Sequence, residues 1–191
     1  MLKFFLYLFP LIFFLMHSVI GRQSIHDGPP PTWRTIEKSS PKITPLLTWE
    51  PLIAKSEIEC LAKNIYFEAA VESTAGQLAV AQVTLNRVKS KHYPNSVCEV
   101  VYEGPKDVNG FPKRDRCQFS WYCDGKGDEP KNKGKLWNTS HSLAKYVLKR
   151  QRDLIDITDG ATHYYATYID APRWARQKRI TTSIDQHIFF R

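Results

Sequence analysis

The sequence contains no internal repeat, and outside one proline-rich stretch it has no low-complexity tract, which excludes a repeat architecture. Its six histidines form no cluster at ligand spacing. No cysteine pair encloses a two-residue turn either, since Cys117 and Cys123 flank Gln-Phe-Ser-Trp-Tyr. A zinc site is therefore disfavoured, and no metal or other cofactor is expected. A basic helix interleaved with base-stacking aromatics is also missing. The net charge of +8 comes from scattered lysines and arginines, so no nucleic-acid partner is expected. Solubility and attraction to a polyanionic envelope account for the charge. Once an N-terminal segment is set aside, 191 residues leave room for one ordinary domain, expected to be a monomer, rather than for several domains.

That N-terminal segment begins Met1-Leu2-Lys3 and runs from Phe4 to Met16 through apolar residues, Tyr7 and Pro10. A basic start followed by a short apolar run is an export signal. With Val19 and Ile20 counted, the run approaches the lower limit of a membrane span. Cleavage near Gly21 and retention of residues 4–20 as an inner-membrane anchor thus both stand, and the protein is expected in the periplasm or cell envelope. Residues 22–54 hold Pro29, Pro30, Pro31, Pro41, Pro45 and Pro51 without helical or strand periodicity, and read as a linker. In polyproline-like form, about thirty residues reach about 90 Å. Trp33 and Trp49 read as local packing anchors. All four cysteines, Cys60, Cys98, Cys117 and Cys123, follow the signal, and an even count in an exported chain argues for two disulfides. Three pairings are possible. The short separation of Cys117 and Cys123 favours that bridge and leaves Cys60 with Cys98; four buried reduced thiols are the alternative.

The folded domain, residues 55–191, starts with a Ser56-x-x-Glu59 capping box ahead of Ile58, Leu61, Ala62, Ile65 and Ala69 at helical spacing. A second helix runs from Ser73 or Thr74 to about Ser90, and its density of Ala and Val predicts burial on more than one face. A third runs from Thr139 or Ser140 to Arg150, with Leu143, Ala144, Val147 and Leu148 facing inward. Residues 98–134 between them, rich in Gly, Pro, Asp and Lys, read as a long functional loop. After an Asp159-Gly160 turn, residues 162–167, 180–184 and 187–190 are short β-prone runs. Helices first and a small antiparallel sheet last make an α+β domain.

Three clusters can carry chemistry. Glu68 stands at the end of the first helix behind Tyr66 and Phe67, with Ile65 and Ala69 about it, an odd setting for a surface charge. The negative end of the helix dipole and loss of water both raise a carboxyl pKa, as a general acid requires. Glu72, four residues on, is a supporting candidate, although two glutamates at this spacing are commonly a solvated face. In the segment Cys117 to Cys123, Gln118 and Ser120 can bond sugar hydroxyl and acetamido groups. Trp121 can stack on a sugar ring, or else pack with Phe119 in the core. On the strand that includes His163, Tyr164 and Tyr165, His163 and Tyr165 share one face and Tyr164 the other, with Trp174 and His187 nearby in the sheet.

Five stretches in order resemble the cell wall hydrolase family related to spore cortex-lytic enzymes. They are Leu61-Ala-Lys-Asn-Ile-Tyr-Phe-Glu68, Gly76-Gln-Leu-Ala-Val-Ala-Gln-Val-Thr-Leu-Asn-Arg-Val88, Cys117-Gln-Phe-Ser-Trp121, Gly160-Ala-Thr-His-Tyr164 and His187-Ile-Phe189. The resemblance implies a lysozyme-like domain that cleaves peptidoglycan glycan strands between N-acetylmuramic acid and N-acetylglucosamine as a lytic transglycosylase. It places the catalytic glutamate on Glu68, and Gln118, Ser120, Trp121, His163 and Tyr164, with Trp174 and His187, become candidates for sugar contact. The family pattern continues Glu-Ala-Arg-Gly-Glu, whereas Ala70 and Val71 replace the Arg and Gly here and Glu72 keeps the second glutamate. A hydrolytic route would need a second carboxylate, for which Asp124 and Asp170 are available. The rival functions are a zinc amidase using His163 and His187 as ligands and a non-catalytic peptidoglycan-binding module.

Overall fold

The structure, a computed structural model, describes residues 53–191. The expected signal peptide or anchor and nearly all of the linker, with Trp33 and Trp49, lie outside the described residues. No helix among the described residues is long and apolar enough to cross a membrane.

Helix α1 spans Lys55–Ala69 and buries Leu61, Ala62, Ile65 and Ala69 of the predicted stripe together with Cys60, while Ile58 is half-buried. Its start differs from expectation. Ala54 occupies the cap position without a side-chain bond, so Ser56 lies inside the first turn and the Ser56/Glu59 capping box does not form. Tertiary demand decides this end. The Glu57 carboxylate accepts hydrogen bonds from the Val97 and Cys98 N–H groups at 2.7 and 3.4 Å, capping the short helix α3, Val97–Val101. A carboxylate is favourable there because the first N–H groups of a helix lack partners within it. The Cys60–Cys98 disulfide joins the same two helices.

Helix α2 spans Thr74–Lys89 and starts as predicted, with the Ser73 hydroxyl accepting from Gly76 N–H. Ala81 and Leu85 join the main core with α1 and with Trp137, Ala144 and Val147, while Ala79 and Val83 pack with Ala161 and Phe189 in a second cluster. Both faces are therefore covered. Helix α4 spans Lys135–Arg150, beginning earlier than the predicted Thr139 because Trp137, 5% exposed, is drawn into the core and meets Tyr66 edge-on at 6.0 Å. Residues 98–134 hold most of α3, a 3-10 turn at Ser120–Cys123, and the Cys117–Cys123 disulfide; the buried Phe119 and Trp121 fasten this segment to the core.

Strands β1 (His163–Ala166), β2 (Ile180–Ile184) and β3 (His187–Phe190) form one antiparallel sheet in the order β1-β3-β2. The β2–β3 turn anchors the sheet to α2: Asp185, at φ 48°, accepts from Ser73 N–H and Oγ–H at 3.0 and 2.6 Å. A side chain at Gly76 would collide with the carboxylates of Glu72 and Asp185, so this close approach requires glycine. Helices first and a three-stranded sheet last confirm the α+β reading.

Asn64, fully buried on α1, ties the two halves of the core. Its amide donates to Thr84 Oγ1 at 3.1 Å and its carbonyl accepts from Trp121 Nε1–H at 3.0 Å. Asn64→Ala leaves a buried indole N–H unpaired, and chemical denaturation should show a loss of about 2–3 kcal/mol. A loss within about 0.5 kcal/mol would show that the network is dispensable.

Candidate active site

The last turn of α1 delivers Tyr66, Phe67 and Glu68 to one wall of a cleft of about 930 Å³. The bridged segment supplies Gln118, Ser120 and Trp121. Tyr164, Tyr165, Trp174 and His187 come from the sheet and its connections, with Tyr168 and Ile169 beyond them. Helical geometry alone cannot bury a carboxylate at a helix end. Here the sheet covers it, as Tyr164 reaches over from β1 and donates its O–H to Glu68 Oε2 at 2.9 Å.

Burial pushes the Glu68 carboxyl above the usual range, and the Tyr164 hydrogen bond and Arg87 charge pull it back only in part. Burial first, and then the neighbouring Glu68 charge, drives the Tyr164 phenol well above its ordinary value, so it remains a donor. Tyr164→Phe removes a bond that favours the ionised acid and should move Glu68 further upward. The alkaline limb of kcat/KM against pH should shift to higher pH, with a rate loss on the order of ten- to hundredfold, matching about 1.5–3 kcal/mol for a charged hydrogen bond. An unchanged profile would mean that this bond does not tune the acid.

Glu72 and His187 form a second buried pair, Nδ1 to Oε1 at 3.0 Å, with side chains 8% and 6% exposed. The His187 ring meets Tyr164 edge-on at 4.9 Å. Glu72 thus contacts the group that flanks the acid's hydrogen-bond donor, and His187 lines the cleft while Glu72 does not.

Gln118 and Ser120 line the cleft with exposed side chains. Trp121 lines it too, but most of its surface is committed elsewhere: its N–H is taken by Asn64 and its face stacks on Phe67 at 4.6 Å, leaving it 7% exposed. Trp174 lines the cleft from a 3-10 turn, Arg173–Gln177, rather than from a strand. His163 lies outside the lining. Its ring contacts Tyr93, Thr162 and Trp174 instead, and burial, followed by the Lys178 and Arg87 charges, lowers its pKa to about 4. Asp124 is on the cleft and Asp170 is not. Among the described residues no three His, Cys, Asp or Glu side chains form a set that could hold a metal.

Arg87 is the largest surprise. It is 4% exposed, lines the cleft, donates from Nε to Thr162 O at 2.8 Å and lies against Phe119 and Tyr93 at 4.7 and 5.4 Å. Its place was readable in principle, because position 87 continues the buried stripe of Val80 and Val83 at helical spacing. Tyr165, Tyr168 and Ile169 carry no comparable local signal.

A family model described as Cell Wall Hydrolase matches residues 71–190, beginning three residues after Glu68. The spore cortex-lytic enzyme of Bacillus cereus is 27% identical over 136 residues, covering 71% of this chain and 44% of that protein. That of Oceanobacillus iheyensis is 37% identical over 136 residues, with 71% and 42% covered. The chain thus spans less than half the length of these relatives. Among solved structures, the catalytic domain of the Bacillus cereus SleB protein matches with a TM-score of 0.51 at 26% identity, over 71% of this chain and 90% of that one. The catalytic domain of the germination-specific lytic transglycosylase SleB from Bacillus anthracis matches with a TM-score of 0.53 at 25% identity, over 73% and 97%.

Proposed function

The chain belongs to the cell wall hydrolase family, and on that premise we propose that its folded domain degrades peptidoglycan, cutting glycan strands between N-acetylmuramic acid and N-acetylglucosamine as a lytic transglycosylase. The observation that carries this reading is Glu68, a half-buried carboxyl of raised pKa held by Tyr164 on a large open cleft. Protonated Glu68 gives its proton to the glycosidic oxygen as the bond to muramyl C1 breaks. The resulting carboxylate then takes the proton of the C6 hydroxyl, O6 bonds to C1, and a 1,6-anhydro ring closes with Glu68 protonated again. One group serves as acid and base, and the Tyr164 O–H steadies the carboxylate between the two steps. Gln118, Ser120, Trp174 and His187 are the proposed sugar contacts, with Trp121 offering an edge and Glu72 holding His187 in place.

One observation favours a second reading, hydrolysis. Asp124 shares the cleft, and the Lys126 N–H bond chiefly holds its carboxyl below the ordinary range, so it stays ionised, as a second carboxylate must. The amidase reading gains nothing from the geometry, since His163 is off the cleft and His187 Nδ1 is engaged by Glu72. Residues 1–21 would export or anchor the enzyme and residues 22–54 would tether it, so that it acts in the envelope.

Fragment release from purified sacculi separates these readings. Release by the wild-type protein should be unaffected by a strong chelator; release abolished by the chelator would support the zinc amidase, and binding without release would support the non-catalytic module.

A further inference from the structure

Tyr168 and Ile169 are large apolar side chains left 75% and 51% exposed, and both lie on the cleft. Their presentation is fixed. They belong to the turn that follows β1, closed by Thr167 N–H donating to Gln186 O at 2.7 Å and Ile169 N–H donating to Ala166 O at 3.1 Å. Tyr168 makes no ring contact with another aromatic side chain among the described residues, whereas Tyr165 and Trp174 in the same wall pack against Phe190 at 5.6 and 5.3 Å. An exposed aromatic side chain on a hydrogen-bonded turn at a lip, with few torsions to immobilise, suits a ligand that offers flat apolar C–H faces and a rim of hydroxyls. Its position follows from the chain: Tyr164 holds Glu68 on the buried floor, and Tyr168 comes four residues later, beyond the end of the strand.

We propose that Tyr168, edged by Ile169, is an outer sugar subsite that stacks on a glycan ring beyond the pair flanking the cleaved bond, so that the cleft favours long strands over short ones. The inference rests on the glycan-cleaving reading above. The polar groups along the bridged segment opposite, Gln118 and Ser120, would then meet the hydroxyl rim while the lip covers the ring face. An acidic or basic protein partner would leave such a lip unused.

The test compares kcat/KM on a defined tetrasaccharide of alternating N-acetylglucosamine and N-acetylmuramic acid with kcat/KM on long, peptide-free glycan strands. The wild type should prefer the long strands. In Tyr168→Ala the ratio of long-strand to short-strand kcat/KM should fall roughly three- to tenfold, the scale of one aromatic stacking contact, mainly through KM, and Tyr168→Phe should restore it. An unchanged ratio in Tyr168→Ala, or an equal loss on both substrates, would overturn the subsite. If the wild type cut neither glycan, the glycan-cleaving reading itself would fail, an outcome distinct from an unchanged ratio.

Discussion

Glu68→Gln is expected to lose at least about a thousandfold in fragment release, because the substitution removes both the proton donor and the base that follows it, each a step worth roughly 10²–10⁴. The shape is kept and the Tyr164 O–H still finds a carbonyl acceptor, so the fold should survive. The stability of the two proteins should also differ in its pH dependence, in a direction set by linkage. Glu68 has a folded pKa above its ordinary value of 4.5, so the native state binds this proton more tightly than the unfolded chain does. Stability from this site is therefore full below about that ordinary value and falls as pH rises toward the raised folded value. Wild-type melting temperature should decline across that window relative to Glu68→Gln, whose neutral amide does not titrate. Activity should be lost on the alkaline side as the same proton leaves. Parallel melting curves would mean that the carboxyl is not buried in the way the cleft implies.

The second large effect is on stability. Replacing Cys60 and Cys98 together by alanine opens a loop with a sequence separation of 38, which by chain entropy costs about 4 kcal/mol. For a domain of this size that corresponds to a melting temperature lower by on the order of 10–20 °C. Cys117 and Cys123 close a separation of only 6, worth about 2 kcal/mol by the same argument. Calorimetry on the two double variants should preserve this ranking. The reverse order would locate the weight of the fold in the bridged segment rather than in the α1–α3 staple, where Glu57 already bonds the start of α3.

Legibility in the sequence follows whether a feature is settled locally. The Ser73 cap is local, and it forms at the expected residue. Ser56 and Glu59 carry an equally good local signal, yet the box does not form: Ala54 holds the cap position and the Glu59 carboxylate faces His141, distant in sequence. The strands appear where their composition predicts, the first trimmed by one residue at each end and the other two at the expected bounds. Glu68 stands out because two aromatic residues precede a charge at a helix end. Its partner Tyr164 was a candidate, but for sugar contact; only the sheet's docking on α1 converts it into the acid's hydrogen-bond donor. Alternation could separate His163 from Tyr164 but could not say which lines the cleft, and Tyr165 does so where His163 does not. Trp121 was read by residue type, and its indole N–H belongs to Asn64, distant in sequence and adjacent in the core.

Mass spectrometry of the products released from purified sacculi tests the central claim most directly. The account predicts 1,6-anhydro-muropeptides from the wild-type protein and none from Glu68→Gln. Products ending in reducing muramic acid would replace the transglycosylase with a hydrolase in which Asp124 acts, and free stem peptides on intact glycan would contradict the assignment of Glu68 as the glycan-cleaving acid.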